Sequence, residues 1–220
     1  MGNSIHTVIF DLDGTLSDSA LLTMAAFRAV LPKQGLPMPS EEAVRRAMGY
    51  ATPEFYYILF PDLPRDMVDN VGILVEEEEL RCLPSLGGKL LFEGCWELLM
   101  RLKENGKRLC IASTGSRDHV LSTLDCIGIT HFFDAVYCDL PDKTEMLRDM
   151  INNVDKNADS KSGYIDKNGY IMVGDMKKDY EAARTNGIVS VGACFGYCVR
   201  EQTNFDFYID KPLDLFKLII

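Results

Sequence analysis

Short apolar runs that alternate with helical patterns are the feature of this sequence that most restricts its fold. Each run holds four to six residues, mostly apolar or β-branched, as is typical of buried parallel strands. The predicted strands are Thr7–Asp11, Arg108–Ser113, Ala135–Cys138, Tyr170–Gly174, Ile188–Val191 and Asp206–Ile209. Because helices separate the strands, we predict right-handed crossovers and an α/β fold with a Rossmann-like parallel sheet, covered on both faces.

The helical patterns between these strands end at glycines. The predicted helices are Glu93–Asn105, Asp118–Ile127 and Lys177–Asn186, and they stop at Gly106, Gly128 and Gly187. Glycine adopts the left-handed conformation that terminates many helices at little steric cost. These endings support the alternation of strand and helix.

Residues 17–86 interrupt this alternation, because they contain helical signals and no convincing strand. The predicted pieces are Ala20–Val30, then Ser40–Met48 with Ser40 as N-cap, then a helix with Thr52 as N-cap and Pro53 in its first turn, and finally a helix from about Pro64 through Glu79. We therefore predict a small helical cap domain over residues 17–86, inserted after the first strand, and a core domain formed by residues 1–16 and 87–220. Within the cap, we expect Phe55-Tyr56-Tyr57 in its interior and Glu76–Glu79 on an exposed helical turn.

Charge and cysteine content narrow the possible partners and location. The chain has 33 acidic and 23 basic residues, a net charge of −10, which disfavours non-specific binding to nucleic acid or anionic membranes. It shows neither a secretory signal nor an apolar stretch long enough for a membrane span. Seven scattered cysteines suit a reducing compartment. We expect a cytoplasmic protein that is a monomer or a weak homodimer.

Polar side chains follow four of the predicted strands. They include Asp11 and Asp13 after the first, Ser113 after the second, Lys143 after the third, and Asp175 with Asp179 after the fourth. In doubly wound sheets the ligand site lies at the carboxyl ends of the strands, so we expect these groups to converge. The sequence leaves open whether Ser113, Thr114 or Ser116 presents a hydroxyl group there.

Such a set of side chains indicates a magnesium site that holds a phosphate. Mg²⁺ prefers carboxylate and phosphate oxygens, with Asp11 and Asp175 as the first candidates for direct ligands. The Ser113 hydroxyl, Lys143 and main-chain amides near Leu12, Asp13 and Thr114 supply donors to a phosphoryl group. One carboxylate can attack phosphorus while another protonates the leaving oxygen.

These segments resemble, in order, the four motifs of the haloacid dehalogenase superfamily. The matching segments are Asp11-Leu12-Asp13-Gly14-Thr15-Leu16, Ser113 after an apolar strand, Lys143, and Gly174-Asp175 with Asp179. The position of the cap is similar to that in the subgroup with a helical cap between the first two motifs. Arg45-Arg46-Ala47-Met48-Gly49, Leu91-Phe92-Glu93-Gly94 and Phe195-Gly196-Tyr197 resemble the phosphoglycolate phosphatase-like enzymes.

The resemblance implies a role for each motif residue. Asp11 would become an aspartyl-phosphate, and Asp13 would act first as acid and then as base. Phosphate would be bound by Ser113, Thr114 and Lys143. The acidic residues at the metal would be Asp11, Asp13, Asp175 and Asp179, with Asp179 on a metal-bound water or on Lys143. Candidate residues for substrate specificity in the cap are Arg45, Arg46 and Gly49.

We therefore expect a Mg²⁺-dependent phosphatase acting on a small phosphorylated metabolite. The candidate substrates are phosphoglycolate, sugar phosphates, nucleotides and pyrophosphate, and the sequence does not choose among them. A phosphosugar mutase of the β-phosphoglucomutase type shares all four motifs and is the main alternative, followed by a non-catalytic phosphate-binding relative. Two departures from the family, Thr144-Glu145 after Lys143 and the long polar segment Asp155–Asn168, leave the motif side chains intact.

Overall fold

The computed structural model describes residues 5–48, 50, 52–156 and 167–220. Within these ranges, six parallel strands form one sheet in the order β3-β2-β1-β4-β5-β6. The strands are β1 (Thr7–Phe10), β2 (Arg108–Ala112), β3 (Ala135–Tyr137), β4 (Tyr170–Gly174), β5 (Val189–Ala193) and β6 (Phe207–Ile209). All six predicted strands are confirmed, with ends that differ by up to two residues.

Nine helices accompany the sheet in the described part of the chain. They are α1 (Ser19–Val30), α2 (Glu41–Ala47), α3 (Glu54–Leu59), α4 (Arg65–Leu86), α5 (Cys95–Glu104), α6 (Arg117–Cys126), α7 (Lys143–Lys156), α8 (Lys177–Asn186) and α9 (Pro212–Ile219). Helices α5, α6 and α8 confirm the predicted ones, and Gly187 ends α8 in the left-handed conformation. Helices α7 and α9 were not predicted from the sequence.

Strand β1 lies in the middle of the sheet, and every one of its side chains is buried. It pairs with β2 on one side and β4 on the other, so that Phe10 lies in register with Ile111 and Val173. The three strands consequently end at the same level. This register brings the residues that follow them, Asp11, Ser113 and Asp175, to one edge of the sheet.

Helices α1 to α4 confirm the helical character of residues 17–86, in whose described part no strand occurs. Ser40 caps α2 as predicted, because its hydroxyl accepts a hydrogen bond from the Ala43 amide at 3.1 Å. The predicted N-cap residue of α3 is wrong, since Pro53 rather than Thr52 precedes the first residue of this helix. Helix α4 also continues beyond the predicted end, as far as Leu86.

The cap has a hydrophobic cluster of its own, separate from the two clusters that cover the faces of the sheet. Phe27 is fully buried at its centre and meets Tyr56 and Phe60 edge to face, with ring centroids 6.5 and 6.0 Å apart. Phe55 and Tyr56 are buried as expected, whereas Tyr57 is only half-buried and its hydroxyl donates to Asp69 at 2.6 Å. The division of the chain into two domains at residues 17 and 86 stays a prediction.

The two connections between cap and core run side by side. The amide of Asp18 donates to the Leu90 carbonyl at 2.7 Å, and the amide of Phe92 donates to the Leu16 carbonyl at 3.0 Å. These hydrogen bonds fix the start of α1 beside the carboxyl end of β1. Within the described residues, none of the helices has the length and apolar character needed to cross a bilayer.

We predict that Phe27→Ala destabilises the protein by about 3–5 kcal/mol, because the substitution leaves a cavity in the cap cluster. Urea unfolding followed by circular dichroism measures this change. The matched control is Ile73→Ala on α4, whose side chain is 58% exposed; it should change stability by less than about 0.5 kcal/mol. Equal effects of the two substitutions would contradict a packed cap cluster.

Candidate active site

Four of the predicted site residues meet at the carboxyl end of the sheet. Asp11 follows β1, Asp175 follows β4, and Lys143 and Asp179 lie in the first turns of α7 and α8. The Lys143 ammonium donates to Asp11 at 2.7 Å and to Asp179 at 2.5 Å. All four side chains are buried, so this group of charges is held away from water.

The three carboxylates of this group are arranged as metal ligands would be. One oxygen from each of Asp11, Asp175 and Asp179 lies within 4.8 Å of the others. Asp175 Oδ1 accepts from the Thr15 hydroxyl at 3.0 Å, whereas its Oδ2 is buried without a hydrogen-bond partner in the described structure. A buried carboxylate oxygen without a partner is costly unless a cation satisfies it. The oxygen donors suit Mg²⁺, which favours carboxylates.

Gly14 leaves room for this cluster. It has a φ of +81°, and a Cβ atom there would lie 2.5 Å from Asp175 Oδ2. Any other residue would therefore both strain the backbone and displace the carboxylate. Asp179 is held in place by the main chain, because its Oδ2 accepts hydrogen bonds from the amides of Asp175 and Met176 at 3.2 and 3.0 Å.

The electrostatics also favour a bound cation. Burial, opposed by Lys143 and reinforced by Asp179, raises the pKa of Asp11 to about 7. Burial followed by repulsion from Asp11 and Asp179 raises the pKa of Asp175 well above its ordinary value. Lys143 supplies one positive charge for three carboxylates, so a divalent cation would relieve the remaining repulsion.

Asp13, the other predicted acidic ligand, has a different environment. Its carboxylate accepts hydrogen bonds from the Ser19 hydroxyl and from His119 Nε2, the latter at 3.1 Å. Burial would raise the pKa of Asp13, but His119 and Ser19 outweigh burial and lower it. The structure thus groups Asp11, Asp175 and Asp179, and it turns the Asp13 side chain towards His119.

His119 connects Asp13 to the cap. Its Nδ1 lies 4.0 Å from Oε2 of Glu79 on α4, and the Thr23 hydroxyl donates to the other oxygen of Glu79. Burial lowers the pKa of His119, but Asp13 and then Glu79 raise it to about 9 overall. The expectation of an exposed turn at Glu76–Glu79 is wrong for Glu79, which is buried because it turns inward to these partners.

A small cleft opens beside these groups. Its lining includes the predicted phosphate-binding residues Ser113, Thr114 and Lys143, together with three residues that the sequence did not single out. The full lining is Asp11, Asp13, Met48, Ser113, Thr114, Lys143, Met176, Lys178 and Asp179. Ser116 is not part of this lining, since its hydroxyl caps α6.

The cap arginines lie outside this lining. Arg45 forms two hydrogen bonds of 3.0 Å with the Asp18 carboxylate and stacks over the Tyr197 ring at 5.1 Å. The Tyr197 hydroxyl in turn donates to Asp18 at 2.6 Å. Arg46 is exposed and pairs with Glu42. Gly49, the third candidate for specificity, lies outside the described residues.

Sequence reasoning missed several residues of the site. Thr15 lies within the first motif, where its side chain was recognisable as a second candidate, beside Ser113, to place a hydroxyl group in the site. Ser19, Glu79 and His119 come from three separate helices and meet only in the folded chain. Nothing in their spacing along the sequence indicates this contact.

The chain is similar to known proteins in sequence and in fold. The family model for haloacid dehalogenase-like hydrolases matches residues 8–193. The pyrophosphatase PpaX of Bacillus pumilus is 25% identical over 226 residues, which cover 99% of this chain and 97% of that protein. The phosphoglycolate phosphatase of Synechococcus elongatus is 25% identical over 230 residues, covering 98% and 97%. A predicted phosphoglycolate phosphatase from Haemophilus somnus has the same fold, with a TM-score of 0.84 at 21% identity over 98% of both chains.

We predict that the metal-free protein becomes less stable at alkaline pH, because His119 loses its proton there. Because its pKa is raised from 6.5 to about 9, its contribution is fully present below pH 6.5 and is lost as the pH rises through about 9. Since one pKa unit corresponds to about 1.4 kcal/mol, the loss should be about 3 kcal/mol. Urea unfolding in EDTA between pH 6 and 10 measures it.

In His119→Gln this part of the pH dependence should disappear. The control is His131→Gln, which replaces an exposed histidine outside the cap and should keep the wild-type profile. Parallel stability profiles for the wild type and His119→Gln would contradict the Asp13–His119 interaction.

Proposed function

This chain belongs to the haloacid dehalogenase-like hydrolases, and we propose that it is a Mg²⁺-dependent phosphatase that hydrolyses a small phosphomonoester through a phosphorylated Asp11. The observation that carries the proposal is the buried group of three carboxylates and Lys143 beside a small cleft. The relatives named above support a phosphatase, because they are named pyrophosphatase and phosphoglycolate phosphatase and align over nearly their full lengths. We infer that the substrate is a small phosphorylated metabolite.

In this proposal Asp11, Asp175 and Asp179 hold the metal. Bound Mg²⁺ would neutralise their repulsion and draw electron density from the phosphoryl oxygens. The unpartnered Oδ2 of Asp175 supports its role as a ligand. Lys143 keeps Asp11 and Asp179 in place, since its ammonium bonds to both of them.

Asp11 is the nucleophile in the first step. Its carboxylate oxygen forms a bond to phosphorus while the bond from phosphorus to the ester oxygen breaks. In the free protein His119 lowers the pKa of Asp13, but the negative charge of a bound phosphate ester raises that pKa again, so that Asp13 can take up a proton. Asp13 gives this proton to the departing oxygen, which leaves as an alcohol. Hydrogen bonds from Ser19 and His119 hold the Asp13 carboxyl in one orientation, as proton transfer requires.

Water completes the reaction in the second step. Asp13, now ionised, takes a proton from a water molecule whose oxygen attacks phosphorus, and the bond to Asp11 breaks. Inorganic phosphate is released and Asp11 is regenerated. Ser113, Thr114 and Lys143 line the cleft and can donate hydrogen bonds to phosphoryl oxygens in both steps.

We predict that Asp11→Asn lowers phosphatase activity by at least about 10³-fold, because an amide cannot form the acyl phosphate bond. Release of inorganic phosphate from a panel of phosphate esters, with and without EDTA, measures this. The control, Asp125→Asn on the exposed side of α6, should retain wild-type activity. Hydrolysis that survives both EDTA and Asp11→Asn would refute the mechanism. Isomerisation of a hexose phosphate, activated by a bisphosphate and without phosphate release, would favour the mutase.

Metal binding can be tested without turnover. We expect Mg²⁺ at 100 times its dissociation constant to stabilise the wild-type protein by about 2.7 kcal/mol, seen as a rise in the thermal midpoint. In Asp175→Asn the metal-free protein should be more stable, since one buried repelling charge is removed, and most of the response to Mg²⁺ should be lost. An unchanged response to Mg²⁺ in this variant would contradict the assigned ligand.

A further inference from the structure

The two lysines at the start of α8 have different environments. Lys177 is exposed and pairs with Glu181 on the next turn at 3.0 Å. Lys178 is half-buried and lines the cleft together with Asp11, Ser113 and Lys143. One lysine of this adjacent pair therefore belongs to the surface and the other to the site.

Two lysine side chains, Lys143 and Lys178, line the cleft. They differ in whether carboxylates compensate the charge of the ammonium group. The Lys143 ammonium is bonded to both Asp11 and Asp179, so its charge is largely compensated. Lys178 pairs with no carboxylate in the described part of the chain. Its ammonium lies over the ring of Tyr50, a residue of the cap, at 5.5 Å from the ring centroid. The contact with the ring leaves the charge of Lys178 available to a ligand.

The position of Lys178 indicates which part of a substrate it meets. In the proposed mechanism the transferred phosphoryl group lies next to Asp11, so the leaving group has to occupy the rest of the cleft. Met48, which lines the cleft, and Tyr50, which contacts Lys178, both come from the cap. Lys178 thus lies where the core meets the cap, and Met48 and Met176, which also line the cleft, carry no charge.

From this arrangement we propose that Lys178 determines substrate specificity by binding a second anionic group, a carboxylate or a phosphate, on the leaving group of the substrate. The inference rests on the proposed phosphatase function and narrows its substrate class to phosphate esters or anhydrides with a second negative charge close to the transferred phosphoryl group. The cap arginines do not supply this charge, because Arg45 is held by Asp18 and Arg46 pairs with Glu42 at the surface.

The test compares three substrates at saturating Mg²⁺. Pyrophosphate carries a second phosphate, phosphoglycolate carries a carboxylate, and p-nitrophenyl phosphate has a leaving group without a second anionic group. For Lys178→Met we expect the ratio of kcat/KM for an anionic substrate to kcat/KM for p-nitrophenyl phosphate to fall at least about tenfold, mainly through KM. A fall for only one anionic substrate supports the proposal and identifies the group that Lys178 binds.

Matched variants make the result specific. Lys177→Met removes the neighbouring charge and should keep the wild-type ratio for all substrates. Lys178→Arg keeps the charge and should retain most of the preference. Thermal midpoints show whether each variant is folded, and Lys178→Gln serves as a second neutral variant if Lys178→Met is unstable.

Two outcomes would overturn the inference. One is an unchanged ratio in both neutral variants, and the other is an equal fall in Lys177→Met, which would indicate a general effect of charge. Failure of the proposed function is recognised separately, because hydrolysis would then survive Asp11→Asn and EDTA. If Asp11 and Mg²⁺ are required but the ratio does not change, only the role of Lys178 is wrong.

Discussion

The structure depends on the burial of three carboxylates around a single ammonium at the carboxyl end of the sheet. Buried charges are costly unless they are paired and hydrogen-bonded, so the surrounding chain has to supply partners. Lys143 bonds to two of them, Thr15 donates to Asp175, and main-chain amides donate to Asp179. The negative charge that is left over favours a divalent cation, and with that cation an acidic protein can attract a phosphate ester.

Polar contacts at the same edge join the cap to the core. Glu79 on α4 approaches His119, and His119 bonds to Asp13, so the orientation of the Asp13 carboxyl depends on a residue of the cap. At a second contact between the core and the cap, the Tyr197 hydroxyl donates a hydrogen bond to Asp18 at the start of α1. A movement of the cap would change both sets of contacts. In the proposed mechanism, this links access to the cleft with the orientation of Asp13, the residue that transfers protons.

Much of the fold was predictable because strand and helix have different periods in the sequence. All six strands were located, since buried parallel strands are short apolar runs bounded by polar residues. Helix α9 was missed because eight mostly apolar residues do not by themselves distinguish a helix from a strand. The wrong N-cap at Thr52 and the early predicted end of α4 reflect the general difficulty of locating helix ends from local sequence.

The sequence by itself determined the sheet, the helical interruption after its first strand, and the motif residues Asp11, Asp13 and Asp175, because these follow from periodicity and from the ends of strands. Only the tertiary structure decided which partners those residues have. His119 and Glu79 lie on helices 40 residues apart in sequence, and Lys178 differs from Lys177 only in the direction it faces. Local patterns carry no information about such contacts, because the packing of the cap against the sheet creates them.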